Sequence, residues 1–462
     1  MLTMDRPVET IRTAPNEAEA PDITCRVRSL DLPVVSGDEP FIDRVVDRPL
    51  SFATFRSLQE AARFLGVTRE FREVVTHFRT PPGQTPAGFR VEMQLERDGL
   101  LQFDLVRDIA YDTNGVLRPT NVLFSADTAN PYELAPVANL VANLTCNPGI
   151  VYDLFLNDPK ANVGHRFTNR DEVFHEIGRI LGPGSDITVE LNDPFADLDH
   201  VLEEAEHFRE ILSRWRVVIK VPHTGPVNAA NVGQLLEGDK RLATRFDQPS
   251  TKDAFYPHNL ALALREHGFR INFTLMFEPH QTLLALQAKP YFINTFVRHR
   301  KVQSAAMRDL IDAWRDDGDD AILERLRTFL IEKDYLAPGD AELPLADCLA
   351  MAERIVRYRH FDDPEGSDGL DSARHALRVL RGANLPDTRL IICSMEGELN
   401  YPDIDRLLAS DEFADMTGRV VITAEPNYLA RFTSANQVIS YQRRFMTAAR
   451  SEPAPAGRAP AG

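Results

Sequence analysis

Residues 217–222 read VVIKVP, a short apolar run with one lysine inside it. Near-continuous apolar runs of this length are typical of strands that are buried on both faces, as in parallel sheets. Lys220 is the exception in the run, because an ammonium group is costly to bury without a partner. The stretch therefore predicts an interior strand that carries an unusual lysine.

Seven similar apolar runs occur elsewhere in the chain, and each of them ends in polar residues. Stretches with helical periodicity separate the runs. The eight runs are VLFSAD (122–127), VANLTCN (141–147), ITVELN (187–192), VVIKVP (217–222), INFTLMF (271–277), YFINTFV (291–297), LIICSM (390–395) and VVITAE (420–425). Eight βα units predict an α/β fold, a closed (β/α)8 TIM barrel. An open, doubly wound sheet is the alternative, since the loops differ in length.

The rest of the sequence divides around the predicted barrel, which we place at residues 119–447. Residues 1–45 are rich in Pro, Asp, Glu and Thr and predict a flexible N-terminal arm. Residues 46–118 combine helical spacing with an alternating stretch around Asp98-Gly99, a hairpin signal, and predict a small α+β accessory region. We expect a helical insertion at about 298–388 and a disordered tail at 448–462.

Composition limits the partners and the compartment. The chain has 462 residues, of which 52 are Lys or Arg and 69 are Asp or Glu, and its net charge of −17 disfavours nucleic acid and anionic membranes. The four cysteines form no Cys-x-x-Cys pair, no run of 18 apolar residues is present to span a bilayer, and the N-terminus lacks an apolar signal core. We expect a cytoplasmic protein without metal or cofactor, and a homodimer stays open.

Polar residues at strand ends are the catalytic candidates, because active sites of α/β barrels lie where the strands end. We expect desolvation to lower the pKa of Lys220 and to free a neutral amine that attacks a ketone. Asp127 and Glu190 lie at or near the ends of two other strands, where one carboxylate can move a proton and the other can orient water. The competing interpretations are a solvent-facing lysine and acids that cap helices.

Six stretches, in this order, resemble the successive strand motifs of the transaldolase family of class I aldolases. They are SADTANP, NLTCNP, ITVELNDP, VVIKVP, GFRINFTLMF and FINTFV, and the resemblance extends over about residues 120–445. It implies that Lys220 forms an imine with a ketose and that Asp127 is the acid and base of carbon–carbon bond cleavage. It also implies that Glu190 and Thr274 hold the catalytic water.

The resemblance extends to substrate binding. It implies that Asn147 and Asn272 bind hydroxyl groups of the donor. Phe296 matches a position where transaldolases carry Phe and the related fructose-6-phosphate aldolases carry Tyr, so Phe296 favours transfer of a three-carbon unit over its release.

The phosphate end of the site departs from the family. The family usually follows the sixth strand with Ser-Pro-Phe-Val-Gly-Arg, whereas this chain has Asn294 at the serine and a histidine, between Arg298 and Arg300, at the arginine. After the seventh strand the family has Ser-Phe-Arg, and this chain keeps Ser394 but has Glu396 at the arginine. A carboxylate in a partly buried pocket repels a phosphate by roughly 1 kcal/mol or more. We therefore expect an unphosphorylated sugar or sugar-like substrate, unless the loop alignment is off by a residue or two. We expect Asn294, Ser394, Glu396, Arg298 and Arg300 to bind it, with one of the two arginines turned inward if Glu396 points away.

These observations predict a transaldolase-like transferase that moves a dihydroxyacetone-type unit in a specialised pathway. Two alternatives stay open: an aldolase that cleaves or condenses without transfer, and a barrel that has lost turnover and serves as a binding or regulatory protein. An inserted segment at about 228–256 follows the lysine strand and is a candidate lid. His223 is either an additional acid–base group or a satisfied loop residue.

Overall fold

The computed structural model describes residues 10–11, 25–78, 83, 85–86, 88–112, 116–182, 185–212, 215–393, 400–431 and 434–450. At its centre eight parallel strands close into a barrel that is surrounded by helices. The prediction of a closed α/β barrel is confirmed, and the alternative of an open sheet is wrong.

The elements before the barrel are short strands and helices. They are β1 (Thr10–Ile11), β2 (Cys25–Arg26), α1 (Glu39–Ile42), β3 (Pro49–Leu50), α2 (Phe52–Ala61), β4 (Phe64–Val67), α3 (Arg69–Phe78), β5 (Phe89–Leu95) and β6 (Leu100–Arg107). One sheet has the order β1-β5-β6-β4, and β2 pairs with β3. β5 and β6 form the antiparallel hairpin predicted around Asp98-Gly99, where Gly99 has a φ of 88° that disfavours a side chain.

Residues 25–45 are packed, which corrects the prediction of a flexible arm up to residue 45. Val27, Ile42 and Val45 are buried in the apolar core that also contains the side chains of β4, β5 and β6. The composition of this stretch suggested mobility, but its few apolar residues lie where they reach a shared core. Of the predicted arm, only residues 10–11 and 25–45 are among the described residues.

The barrel strands overlap the eight predicted runs. They are β7 (Leu123–Asp127), β8 (Asn143–Thr145), β9 (Asp186–Glu190), β10 (Arg216–Pro222), β11 (Arg270–Thr274), β12 (Phe292–Phe296), β13 (Arg389–Cys393) and β14 (Val420–Ala424). Strands that follow one another along the chain are neighbours in the barrel, and β14 pairs with β7 to close it.

Helices follow the barrel strands along the chain. They are α4 (Pro131–Leu134), α5 (Arg170–Leu181), α6 (Leu198–Ile211), α7 (Thr251–Glu266), α8 (His280–Gln287), α9 (His299–Asp317), α10 (Asp320–Glu332), α11 (Leu345–Tyr358), α12 (Asp371–Gly382), α13 (Asn400–Leu408), α14 (Pro426–Arg431) and α15 (Asn436–Arg450), and a π-helix spans Gly149–Leu156. Asn169, Asp197 and Ser250 cap three of these helices by accepting a backbone N–H. Among the described helices, none is long and apolar enough to cross a membrane.

The stretch at about 298–388 contains two kinds of helix. α9, α10 and α11 pack on one another around their own apolar cluster, which includes Met307, Leu326 and Ile355. α12 instead packs against β12 and β13, as a barrel helix does. The inserted part therefore consists of α9 to α11, and α12 belongs to the outer layer of the barrel.

Side chains alternate along each barrel strand. On β10, Val217, Ile219 and Val221 belong to the core between barrel and helices, whereas Val218 belongs to a cluster inside the barrel. With a period of two, Lys220 faces the interior as Val218 does.

The segment after β6 closes the N-terminal end of the barrel. Ile109 is buried in the interior cluster, together with Val218 and Phe292. Arg389, the first residue of β13, forms an ion pair with Asp108 at 3.0 Å. The region before the barrel therefore contacts the end opposite to Lys220, and the carboxyl ends of the strands are left for a site.

Candidate active site

Lys220 lies inside the barrel near the carboxyl end of β10, with only 6% of its surface exposed. Its neighbours in the sheet register are Glu190 on β9 and Asn272 on β11. The Nζ atom lies 3.4 Å from Oε2 of Glu190 and donates a hydrogen bond of 3.3 Å to the main-chain oxygen of Cys146. The alternative of a solvent-facing lysine is wrong.

The ionisation of Lys220 differs from the expectation drawn from the sequence. Burial lowers the pKa of Lys220, but the neighbouring acidic groups, with Glu190 first and Asp127 second, raise it by more. The net direction is upward, so the resting amine is charged. A neutral amine therefore requires proton transfer to a carboxylate, because desolvation alone does not produce it here.

The two carboxylates near Lys220 are poised for proton transfer. Burial raises the pKa of Asp127 to about 6, against the opposing charge of Lys220, and burial likewise raises the pKa of Glu190. Oδ1 of Asp127 is buried and finds no hydrogen-bond partner within the described part of the chain. Asn130 and Asp197, and not these two acids, cap α4 and α6, so the capping interpretation is wrong. Acids with raised pKa values inside a site are suited to proton transfer near neutral pH.

Thr274 and two asparagines line the interior beside Lys220. Thr274 ends β11, so it lies on the opposite side of β10 from Glu190. Its hydroxyl accepts a hydrogen bond of 3.2 Å from Nδ2 of Asn294. Asn272 is completely buried, and neither atom of its amide has a partner among the described residues. These amides retain the capacity to bind hydroxyl groups.

Asn147 and Phe296 lie at two other strand ends. Oδ1 of Asn147 accepts a hydrogen bond of 2.9 Å from the backbone N–H of Ile150 at the start of the π-helix, which leaves its amide nitrogen for a ligand. Phe296 ends β12 and stacks on Phe277 with ring centroids 4.6 Å apart. The stacked pair gives this side of the site an apolar wall.

The two arginines predicted to bind substrate are paired with carboxylates of the protein itself. Arg298 forms an ion pair with Asp403, and Arg300 forms ion pairs with Glu278 and Asp371. Arg300 is only 5% exposed, so its guanidinium joins α9 to neighbouring segments and does not face a ligand. The expectation that Arg300 turns toward the substrate is therefore wrong. The charge of Arg298 is already balanced by the carboxylate of Asp403.

His223 follows β10 directly and is neutral. Its backbone N–H donates a hydrogen bond of 3.0 Å to the carbonyl of Thr274. Burial lowers the pKa of His223 to about 4, and His280 adds a smaller effect in the same direction. Nδ1 of the ring lies 3.4 Å from the same carbonyl oxygen, so the side chain is an uncharged, hydrogen-bonded group next to the end of β10.

Small polar side chains beneath the carboxylates form a floor that the sequence analysis missed. All of them are buried and carry at least one atom without a hydrogen-bond partner among the described residues; they are Ser125, Asn143, Thr145 and Thr188. Ser125 and Thr188 come two positions before Asp127 and Glu190 and so face the same way. These residues could have been predicted from the sequence, because every second residue before the polar residue at a strand end faces the same side of the sheet.

The two buried cysteines near Lys220 are unreactive at neutral pH. Burial raises the pKa of Cys146 to about 12 and also raises the pKa of Cys393, so both thiols stay protonated. Within the described ranges, no group of three or more His, Cys, Asp or Glu side chains could hold a metal ion.

His200 and His207 line an open cleft of about 910 Å³ along α6, and each is paired with an aspartate.

The fold and the site together define an α/β barrel with a buried lysine–carboxylate cluster at the carboxyl ends of its strands. No model of a protein family matches this chain, and no curated protein matches it either. Two of the predicted substrate-binding residues, Ser394 and Glu396, lie outside the described residues.

Proposed function

We propose that this protein is a transaldolase-like enzyme with a (β/α)8 barrel of the TIM type, which moves a dihydroxyacetone-type unit through an imine at Lys220. The observation that carries the proposal is the buried Nζ of Lys220, 3.4 Å from the Glu190 carboxylate and under the charge of Asp127. One buried amine with two proton acceptors supplies the groups that imine formation and aldol cleavage need.

Imine formation begins with a proton transfer from Lys220 to Glu190, the nearer carboxylate. The neutral amine then adds to the carbonyl carbon of the ketose and gives a carbinolamine. Glu190 returns the proton to the departing hydroxyl group, which leaves as water, and the nitrogen lone pair forms the iminium. Thr274, on the other side of β10, lies where it can orient this water.

Cleavage of the carbon–carbon bond is the task of Asp127. Its carboxylate accepts the proton of the hydroxyl group next to the bond that breaks, and the bond electrons move into the iminium to give an enamine. The aldehyde leaves, an acceptor aldehyde takes its place, and the enamine carbon attacks it while Asp127 returns the proton. Water then hydrolyses the imine and regenerates Lys220.

The charges around the site favour a substrate without phosphate. Arg298 and Arg300 are neutralised by carboxylates, and the charges of Glu190 and Glu425 already act on Asp127. A phosphate dianion there meets more negative than positive charge, which is unfavourable at short range. We therefore propose an unphosphorylated sugar or sugar-like substrate in a specialised pathway.

Borohydride trapping tests whether the protein forms an imine. The full chain is incubated with dihydroxyacetone, fructose or fructose 6-phosphate and reduced with borohydride. The mass of the intact protein is then measured by mass spectrometry. We expect a covalent adduct in the wild type, none in Lys220→Met, and an unchanged adduct in Lys289→Met, which replaces an exposed lysine near the other end of the barrel. If none of the three compounds gives an adduct, the binding or regulatory alternative is favoured.

Product analysis separates transfer from simple cleavage. We expect product only when an acceptor aldehyde is present, whereas release of free dihydroxyacetone from the donor indicates the aldolase alternative. A strong preference for fructose 6-phosphate over fructose contradicts the proposed substrate class and leaves the imine chemistry untouched.

A further inference from the structure

Four guanidinium groups converge at the N-terminal end of the barrel, opposite to Lys220. Three begin barrel strands and one ends β6; they are Arg216, Arg270, Arg389 and Arg107. Asp186 forms an ion pair with Arg216 at 2.7 Å, and Asp108 forms one with Arg389 at 3.0 Å. The phenol of Tyr291 donates a hydrogen bond of 2.8 Å to the second oxygen of Asp186, so this carboxylate is fully engaged.

The two remaining arginines, Arg107 and Arg270, have no ion pair with any described residue. The guanidinium of Arg107 lies over the ring of Tyr291, 3.5 Å from its centroid, and its Nε is buried without a hydrogen-bond partner. Burial, together with the positive charges of Arg107 and Arg216, lowers the pKa of Arg270 to about 9, although Asp186 and Tyr291 act in the opposite direction. Asp186 is already engaged by Arg216 and Tyr291, so these two neighbouring cations share no carboxylate of their own among the described residues. Such an arrangement is costly in a partly buried place, and an anion between the two guanidinium groups lowers that cost.

A cavity of about 290 Å³ opens beside these two guanidinium groups. Arg107, Arg270, Arg265 and Lys289 line it, and the one carboxylate among its described lining residues is Asp387. The cavity lining is positively charged, whereas the whole chain has a net charge of −17. The cavity is therefore a local basic region in an acidic protein.

We propose that this cavity binds a small polyvalent anion, namely a phosphate or diphosphate group, between Arg107, Arg270 and Lys289. Guanidinium groups present paired N–H donors that match phosphate oxygens, and the exposed ammonium of Lys289 adds a point charge at the entrance. The site lies at the end of the barrel away from Lys220, so it does not depend on the proposed imine chemistry.

Titration calorimetry on the full chain at constant ionic strength tests the proposal, with inorganic phosphate, pyrophosphate and glycerol phosphate as probes. We expect saturable binding to the wild type and about tenfold weaker binding to Arg107→Gln and to Lys289→Gln, the loss expected for one charge-assisted hydrogen bond. Arg325→Gln, which changes an exposed arginine on α10, and Lys220→Met retain wild-type binding. Binding of glycerol phosphate in preference to phosphate identifies a phosphorylated organic ligand as the source of the anion.

Two outcomes overturn the proposal: no saturable binding of any of the three probes, or equal binding by the wild type and Lys289→Gln. Lys289 is exposed, so its replacement leaves the fold intact even where Arg107→Gln fails to fold. A thermal midpoint that rises with pyrophosphate in the wild type but not in Lys289→Glu supports the site independently.

Discussion

Burial acts on the amine of Lys220 in two opposite ways. It removes water, which lowers the pKa, and it brings the carboxylates of Glu190 and Asp127 close, which raises it by more. The sequence identified all three residues, but the direction of the shift depends on the 3.4 Å between Nζ and Glu190, a distance that only the folded chain supplies. In the proposed mechanism, the neutral amine is therefore reached by proton transfer from Lys220 to a carboxylate of the cluster.

The raised pKa of Asp127 predicts the acid limb of the pH profile. Asp127 has to be ionised to accept the hydroxyl proton, and with a pKa of about 6 it is mostly protonated below that pH. We expect kcat/KM to fall about tenfold per pH unit below about pH 6. The measurement is kcat/KM against pH with a saturating acceptor; an acid limb near pH 4, where an ordinary aspartate titrates, contradicts this assignment.

The same pKa predicts that Asp127 weakens the fold at neutral pH. Its folded pKa lies above the unfolded value of 3.8, so the folded state binds more protons between about pH 4 and 6 and loses stability as the pH rises through that window. Asp127→Asn removes this cost, and we expect it to raise the free energy of unfolding by roughly 1–3 kcal/mol at pH 7. The gain disappears near pH 4, and catalysis is lost.

Urea unfolding at pH 7 and pH 4 measures this effect. Asp171→Asn is the control, because Asp171 is half-exposed and far from the cluster. A variant less stable than the wild type at pH 7 shows that the Asp127 carboxylate is a net stabilising group, against the expected sign.

At the scale of elements, the barrel strands were predictable and the ion pairs were not. Eight apolar runs fix the strands, because a strand buried on both faces has few polar residues. The partners of Arg298 and Arg300 lie far along the chain, with Asp371 following Arg300 by 71 positions, so no local pattern shows them. The sequence predicted that these arginines bind the substrate, whereas in the structure they form ion pairs within the protein.

Glu278 joins the start of α9 to the end of α11. Its carboxylate pairs with Arg300 at 2.9 Å and with Arg359 at 2.7 Å. Burial raises the pKa of Glu278, but Arg359 and Arg300 lower it by more, so the folded pKa is depressed. The ionised carboxylate of Glu278 therefore stabilises the folded state above the unfolded pKa of 4.5. That stabilisation is lost as the pH falls through the folded pKa.

Glu278→Gln is expected to lower the free energy of unfolding by roughly 2–4 kcal/mol at pH 7, because the buried guanidinium of Arg359 loses its carboxylate partner and Arg300 keeps only Asp371. Chemical denaturation measures the change, and Glu353→Gln in the exposed pair with Arg315 serves as the control, with an expected change under about 1 kcal/mol. Equal effects of the two substitutions contradict a structural role for Glu278.

At the scale of the whole molecule, the region before the barrel contacts the end opposite to the proposed active site. Ile109 enters the interior cluster and Asp108 pairs with Arg389. No sequence pattern indicated this arrangement, because the charged residues that join the two parts look like ordinary surface residues. Because this end is covered, the opposite end, where the strands finish in Asp127, Glu190 and Thr274, is the one left open for the proposed active site.

The last described helix, α15, contributes nothing to the core. All of its residues are exposed, including Ile439, Phe445 and Met446. We expect a chain that ends at Arg431 to unfold at the same temperature as the full chain, within about 1 °C, because the described residues of the removed segment, 434–450, are all exposed. Thermal unfolding of both chains measures this; a clear drop shows that the helix is covered, for which a homodimer is the first explanation to test by light scattering.

The most direct test of the imine is the identity of the modified residue. After reduction of the wild type with dihydroxyacetone and borohydride, the protein is digested and its peptides are sequenced by mass spectrometry. The account predicts one reduced three-carbon unit on the peptide that contains VVIKVP, attached at Lys220. Modification of another lysine with Lys220 unmodified would contradict it.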